Sequence, residues 1–130
     1  MPSDCEGKDN LVGADGTRLD PFKIDSLYKS ISQLAEIFDI QERGQQLNAE
    51  LQATLTKATT TLKSKGVQQT SALFWFSSAD LGIDPYVAGR KGIPDFTLNQ
   101  LGIRNVVESA EEWPTVGWAT IRKANPTLPV

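Results

Sequence analysis

Apolar positions recur with helical spacing between residues 41 and 65. Leu47, Leu51, Leu55, Ala58 and Leu62 follow one another at intervals of four, four, three and four, a narrow stripe on a run otherwise filled by Gln, Glu, Lys and Thr. The pattern predicts one long helix, Gln41–Lys65, about 37 Å from end to end. Lys63 and Lys65 fall in its last turn, where the helix dipole favours cations, and Gly66 follows as a C-terminal stop. A helix of this length either joins two bodies or lies across a sheet, and the stripe alone leaves both open.

Upstream, Leu27, Ile31, Leu34 and Phe38 share one face of a second amphipathic helix, Ile24–Phe38, with Asp25 as its N-cap and Asp39-Ile40 as the joint to the long helix. Downstream the period changes. Ser71–Phe76 is a near-continuous apolar run, the signature of a strand buried on both faces. A helix over Pro94–Leu101 follows, with Pro near its first turn and Gly102 at its end. Then come a strand over Ile103–Val107, a helix over Thr115–Ala124 and a strand beginning at Leu128–Val130. The predicted fold class is therefore α/β: a long backbone helix leading into a βαβαβ parallel, Rossmann-like three-layer lobe that is truncated. The chain divides into a lead-in loop and helix (1–40), the long helix (41–66) and a partial α/β lobe (67–130).

Composition narrows the function classes. The 130 residues suffice for one core, and 39% are hydrophobic, without an apolar run long enough to cross a bilayer. A net charge of −3 argues against a nucleic-acid partner. The chain contains no histidine, which excludes Ser-His or Cys-His catalysis and His-ligated metal centres. Cys5, the single cysteine, has no partner for an internal disulfide and reads as an incidental thiol. The Asp9–Asp20 stretch resembles a calcium loop only superficially, because Leu11 and Gly13 stand where side-chain oxygens are needed.

Parallel sheets bind ligands in the loops at the carboxyl ends of their strands. Those loops carry Ser77, Ser78, Tyr86, Arg90 and Lys91 after the first strand, and Glu111, Glu112 and Trp113 after the second. Aromatic rings supply apolar contact at small entropic cost, and Arg offers a fork of donors to an anion. Two aromatics, Tyr86 and Trp113, and two cations, Arg90 and Lys91, on neighbouring loops would suit a planar or multiply anionic molecule. The same residues also fit a bland role, the aromatics capping the core and Arg90 in solvent. Trp75 and Trp118 are expected in the core. Glu108, Glu111 and Glu112 are expected to form a solvated acidic loop, and paired carboxylates there are the one route to hydrolytic chemistry. The Gly89-Arg-Lys-Gly92 turn lacks the spacing of a phosphate-binding loop.

The run Asp84-Pro-Tyr-Val-Ala-Gly89, the helix leading to Leu101-Gly-Ile-Arg-Asn-Val106, then Trp113-Pro-Thr-Val116 and Ala124-Asn-Pro126, resembles the C-terminal lobe of the substrate-binding proteins of ABC importers that take up ferric siderophores, haem and cobalamin. The segment from Ser3 through Leu27-Tyr28 and Ile37-Phe38 to Gly44 resembles the lead-in to that family's inter-lobe helix. The resemblance implies two lobes around a cleft, no catalysis and no resident cofactor. The iron-chelate ligand would meet Tyr86 and Trp113, with Arg90 placed for an anionic group. It further implies a periplasmic or extracellular, membrane-anchored parent that docks on a permease, of which this chain would be a fragment prone to self-association. Two positions depart from the family pattern. Ala119 stands where a permease-docking glutamate is common, and Thr127 stands where Asn-Pro is usually followed by Asp. A stand-alone protein-interaction domain is the alternative reading.

Overall fold

The computed structural model describes residues 18, 20–65, 70–78, 80 and 82–129. Cys5, Gly66 and nearly all of the rejected calcium loop lie outside them. Two helices come first, α1 (Ile24–Ile37) and α2 (Gln41–Ser64). Lys23, not Asp25, is the N-cap of α1, and its side chain makes no capping bond; Asp25 sits in the first turn, where its charge suits the dipole. The joint is sharper than composition suggested. Asp39 takes a left-handed conformation (φ 53°), Ile40 N–H donates to the Ala35 carbonyl at 2.8 Å and Asp39 N–H to that of Glu36 at 3.2 Å. That is a Schellman closure with Asp in the place usually held by Gly.

The helices pack on each other through small residues. Ala35 and Gly44 are the fully buried positions of α1 and α2, and a Cβ on Gly44 would stand only 2.5 Å from that of Ala35. The expected stripes are only half realised. Ile31, Leu47, Leu55 and Leu62 are partly buried, whereas Leu27, Leu34, Phe38, Leu51 and Ala58 are exposed.

The lobe is α/β. Strand β1 (Ser71–Leu73) lies at the centre of a three-stranded parallel sheet, between β4 (Arg104–Asn105) and β5 (Leu128–Pro129). Its partners in register are Ser71 with Arg104 and Ala72 with Leu128. The chain runs from β1 through α3 (Ile93–Gln100) to β4 on one side, then through α4 (Trp118–Ala124) to β5 on the other. With right-handed crossovers this reversal sets the two helices on opposite faces. Leu73, Val87 and Val107 form the core, with Val106, Val116 and Ile121 against it. Gly102, at φ +69°, closes α3 as expected, with Ile103 N–H on the Leu98 carbonyl at 2.9 Å. Thr127 turns its hydroxyl toward Ser71 of the central strand, with the two oxygens 3.3 Å apart, so the β5 entry keeps a side-chain clasp without the carboxylate.

Two expectations are corrected. The apolar run Ser71–Phe76 is not one buried strand. It breaks at Phe74, and β2 (Trp75–Ser77) leaves the sheet to pair antiparallel with β3 (Tyr86–Val87). The predicted helix from Thr115 starts only at Trp118, because Thr115 and Val116 are extended: Thr115 bridges Tyr86, and Val116 N–H donates to the Pro85 carbonyl at 3.2 Å.

Candidate functional site

Because β2 follows β1 after one residue, a small ribbon grows directly from the carboxyl end of the central strand. Three segments make it: 75–77, 85–89 and 112–116. Val87 N–H donates to the Pro114 carbonyl at 3.0 Å, Ala88 N–H to that of Phe74 at 3.0 Å and Gly89 N–H to that of Glu112 at 3.1 Å. The ribbon stands where the strand order reverses around β1, the position at which open α/β sheets hold ligands.

Burial separates the side chains along these segments. Along 112–115 burial alternates: Glu112 and Pro114 are buried, Trp113 and Thr115 exposed. Along 85–87, Pro85 and Val87 are buried while Tyr86 points out. The Tyr86–Thr115 bridge brings the Trp113–Thr115 segment alongside Tyr86. Tyr86 is 52% and Trp113 42% exposed. Both are exposed, with Trp113 packed on a neighbouring ring.

Phe76, which carried no functional expectation, joins them. Its ring lies 4.2 Å from that of Trp113, tilted by 58°, and it remains 40% exposed. Its position in a hydrophobic run hid it, since hydropathy scores a ligand platform and a core residue alike. Trp75 is also a correction. It is 47% exposed, and meets Trp118 edge-on at 5.4 Å at the margin of the lobe. Trp118, also expected in the core, is only partly buried.

Arg90 sits at the rim. Its backbone N–H is held by the Ser109 carbonyl at 2.9 Å, and its half-exposed guanidinium lies 3.6 Å from Glu108. An exposed pair of this kind contributes about 0–1 kcal/mol. Lys91 turns its carbonyl toward the lead-in segment, accepting from Phe22 N–H at 2.8 Å. Glu108 and Glu111 are exposed as expected, but Glu112 is not part of a solvated loop. Its carboxylate is buried against Arg18, with Oε2 accepting from the Arg18 backbone N–H at 2.7 Å and Oε1 lying 3.2 Å from Nε. Ninety-four positions separate the partners, beyond any local pattern. Behind the ribbon, a cavity of about 310 Å³ between β1, β4 and α4 has mainly core side chains for walls, among them Leu73, Val116 and Ile121. Among the described residues no cluster of three or more Cys, Asp or Glu is placed to hold a metal ion, and no helix is long and apolar enough to cross a membrane.

Exposed aromatic side chains thus stand at the switch point of a parallel sheet. Residues 6–128 match the family model described as periplasmic binding protein, and the chain belongs to that family. Solved structures agree in fold. A protein of Staphylococcus epidermidis described as a possible iron-binding, periplasmic solute-binding protein superposes with a TM-score of 0.72 at 22% identity, over 85% of this chain and 41% of that one. The periplasmic heme-binding protein of Roseiflexus sp. RS-1 gives 0.71 at 23% identity, over 85% and 41%. A Fe3+-hydroxamate ABC transport protein of Saccharomonospora viridis gives 0.68 at 19%, over 85% and 37%. This chain thus spans about two fifths of the length of these structures. No curated protein matches it significantly.

Proposed function

We propose that this chain supplies one side of the cleft of an ABC-importer substrate-binding protein whose cargo is an iron chelate of the ferric siderophore or haem type, or a corrinoid such as cobalamin. The exposed rings of Phe76, Tyr86 and Trp113 at the carboxyl end of β1 carry this reading. The rings would stack on the chelator and Arg90 would meet an anionic group on it. Iron would be bound through its chelator, and the protein would perform no chemistry. Delivery to a membrane permease and membrane anchoring of the parent belong to the same proposal. Ala119 is exposed on α4, so docking there would have to use a residue other than the glutamate common in the family.

Titration with ferrioxamine, haemin and cyanocobalamin, read by tryptophan quenching, tests the reading. One ligand class should quench saturably. Trp113→Ala and Tyr86→Ala should each weaken that binding by about tenfold or more, since burying an aromatic side chain contributes about 1.5–3 kcal/mol. Flat titrations with all three would defeat the proposal.

A second property is favoured by the α1–α2 joint, where Ile37 is 74% and Phe38 68% exposed, with Ile40 beside them. Contiguous apolar surface of this kind drives association. Sedimentation should show a mass that rises with concentration and falls back toward the monomer in Phe38→Glu. A monomer at every concentration would show that the joint is not sticky.

A further inference from the structure

We infer that Arg18 and Glu112 form a latch that aims Trp113 outward and ties the aromatic face to the segment entering α1. This rests on the reading of Trp113 as a ligand-facing residue. The chain bends through residues 110–113, where Glu112 is buried and its neighbour Trp113 exposed, so the grip that holds Glu112 inward also fixes the bend that turns Trp113 outward. Two grips hold Glu112. Its carbonyl accepts from Gly89 N–H at 3.1 Å, and its carboxylate is clamped by the Arg18 backbone N–H at 2.7 Å and Nε at 3.2 Å.

The other half of the latch is itself fastened. The Arg18 guanidinium lies 5.3 Å over the Phe22 ring, and Phe22 meets Phe96 of α3 edge-on at 5.1 Å. Phe22 N–H also donates to the Lys91 carbonyl at 2.8 Å, next to Arg90. The lead-in segment thus touches both turns that carry the candidate site. A charge pair buried on both sides, with side-chain exposures of 14% and 10%, keeps most of its directional strength. Arg18→Ala keeps the backbone N–H on the Glu112 carboxylate but removes the countercharge beside it, which favours movement of that carboxylate toward water. For Glu112, moving outward loosens the bend that turns Trp113 outward. Arg18 and Glu112 are positioning residues: they touch no ligand and act through Trp113.

The test uses the chain labelled with 5-fluorotryptophan, whose three 19F resonances report Trp75, Trp113 and Trp118 separately, with Trp113→Phe identifying the middle one. Arg18→Ala and Glu112→Gln should each shift or broaden the Trp113 resonance while leaving the other two in place. Arg18→Lys should restore it in part, and the exchanged pair Arg18→Glu with Glu112→Arg more fully than either single change. Ligand quenching should weaken by about tenfold in step with the Trp113 signal. An unmoved Trp113 resonance in both single variants would overturn the inference, and so would equal movement of all three, which reports general loosening. If the Trp113 signal responds as expected but the unaltered chain binds none of ferrioxamine, haemin and cyanocobalamin, the latch stands and the ligand reading fails.

Discussion

Gly89→Ala should dismantle the aromatic ribbon. A Cβ at position 89 would overlap the Glu111 carbonyl oxygen and approach that of Ser109 to 3.0 Å. These are backbone atoms, so no rotamer change relieves the clash, and the 89–90 and 109–112 segments must part. Parting breaks the hydrogen bonds from Gly89 to Glu112 and from Arg90 to Ser109. Two such bonds at about 1 kcal/mol each, with about 1–3 kcal/mol for overpacking, give an expected loss of about 3–5 kcal/mol. In urea the midpoint should fall by about 2 M or more. Ligand quenching should vanish even where the variant remains folded, because the segments that carry Trp113 and Tyr86 no longer lie side by side. An unchanged midpoint with quenching intact would refute the close approach of the two segments.

Asn105→Ala should cost nearly as much by a different route. Asn105 is buried in β4. Its Nδ2 donates to the Ala88 carbonyl at 3.1 Å and to Asp95 Oδ1 at 3.0 Å, and its Oδ1 accepts from Val107 N–H at 3.0 Å. One side chain thereby joins the central sheet, helix α3 and the start of the Gly89 turn. Removal leaves a buried carbonyl and a buried N–H without these partners. It also leaves the buried Asp95 carboxylate with only Asn99 Nδ2, at 2.8 Å, of its two side-chain donors. The expected loss is about 3–4 kcal/mol. The double variant Asn105→Ala, Asp95→Ala should lose less than the sum of the two single changes by about 1–2 kcal/mol, because the second removes the stranded charge. Additive midpoints in urea would show that the two residues do not act as a unit.

Both predictions concern groups with no local sequence signal, and this marks the boundary of what could be read in advance. The apolar spacing through Leu47, Leu51, Leu55, Ala58 and Leu62 placed α2 to within a residue or two, because a 3.6-residue repeat is a property of neighbouring residues alone. Pro94 and Gly102 bounded α3 for the same reason: each acts on its own backbone angles. The alternation of helix and strand after residue 70 was enough for a parallel α/β lobe. The family resemblance singled out Tyr86 and Trp113, and both are exposed in the fold.

Tertiary structure decided the rest. Hydropathy cannot tell a side chain buried among its own core from one held ready for a foreign surface, so Ser71–Phe76 read as one strand when Trp75 and Phe76 leave the sheet. A partly solvated aromatic ribbon and a buried strand share a composition. Thr115 and Val116 looked helical, yet pairing with Pro85 and Tyr86 drew them into the ribbon, since a backbone hydrogen bond across the chain outweighs a weak local preference. Glu112 looked solvated among its acidic neighbours until Arg18, far away in the chain, came to meet it. Local periodicity determined the two leading helices and the helix–strand alternation of the lobe. Contacts between distant residues, which no window along the chain contains, decided which of its aromatic and charged groups face outward.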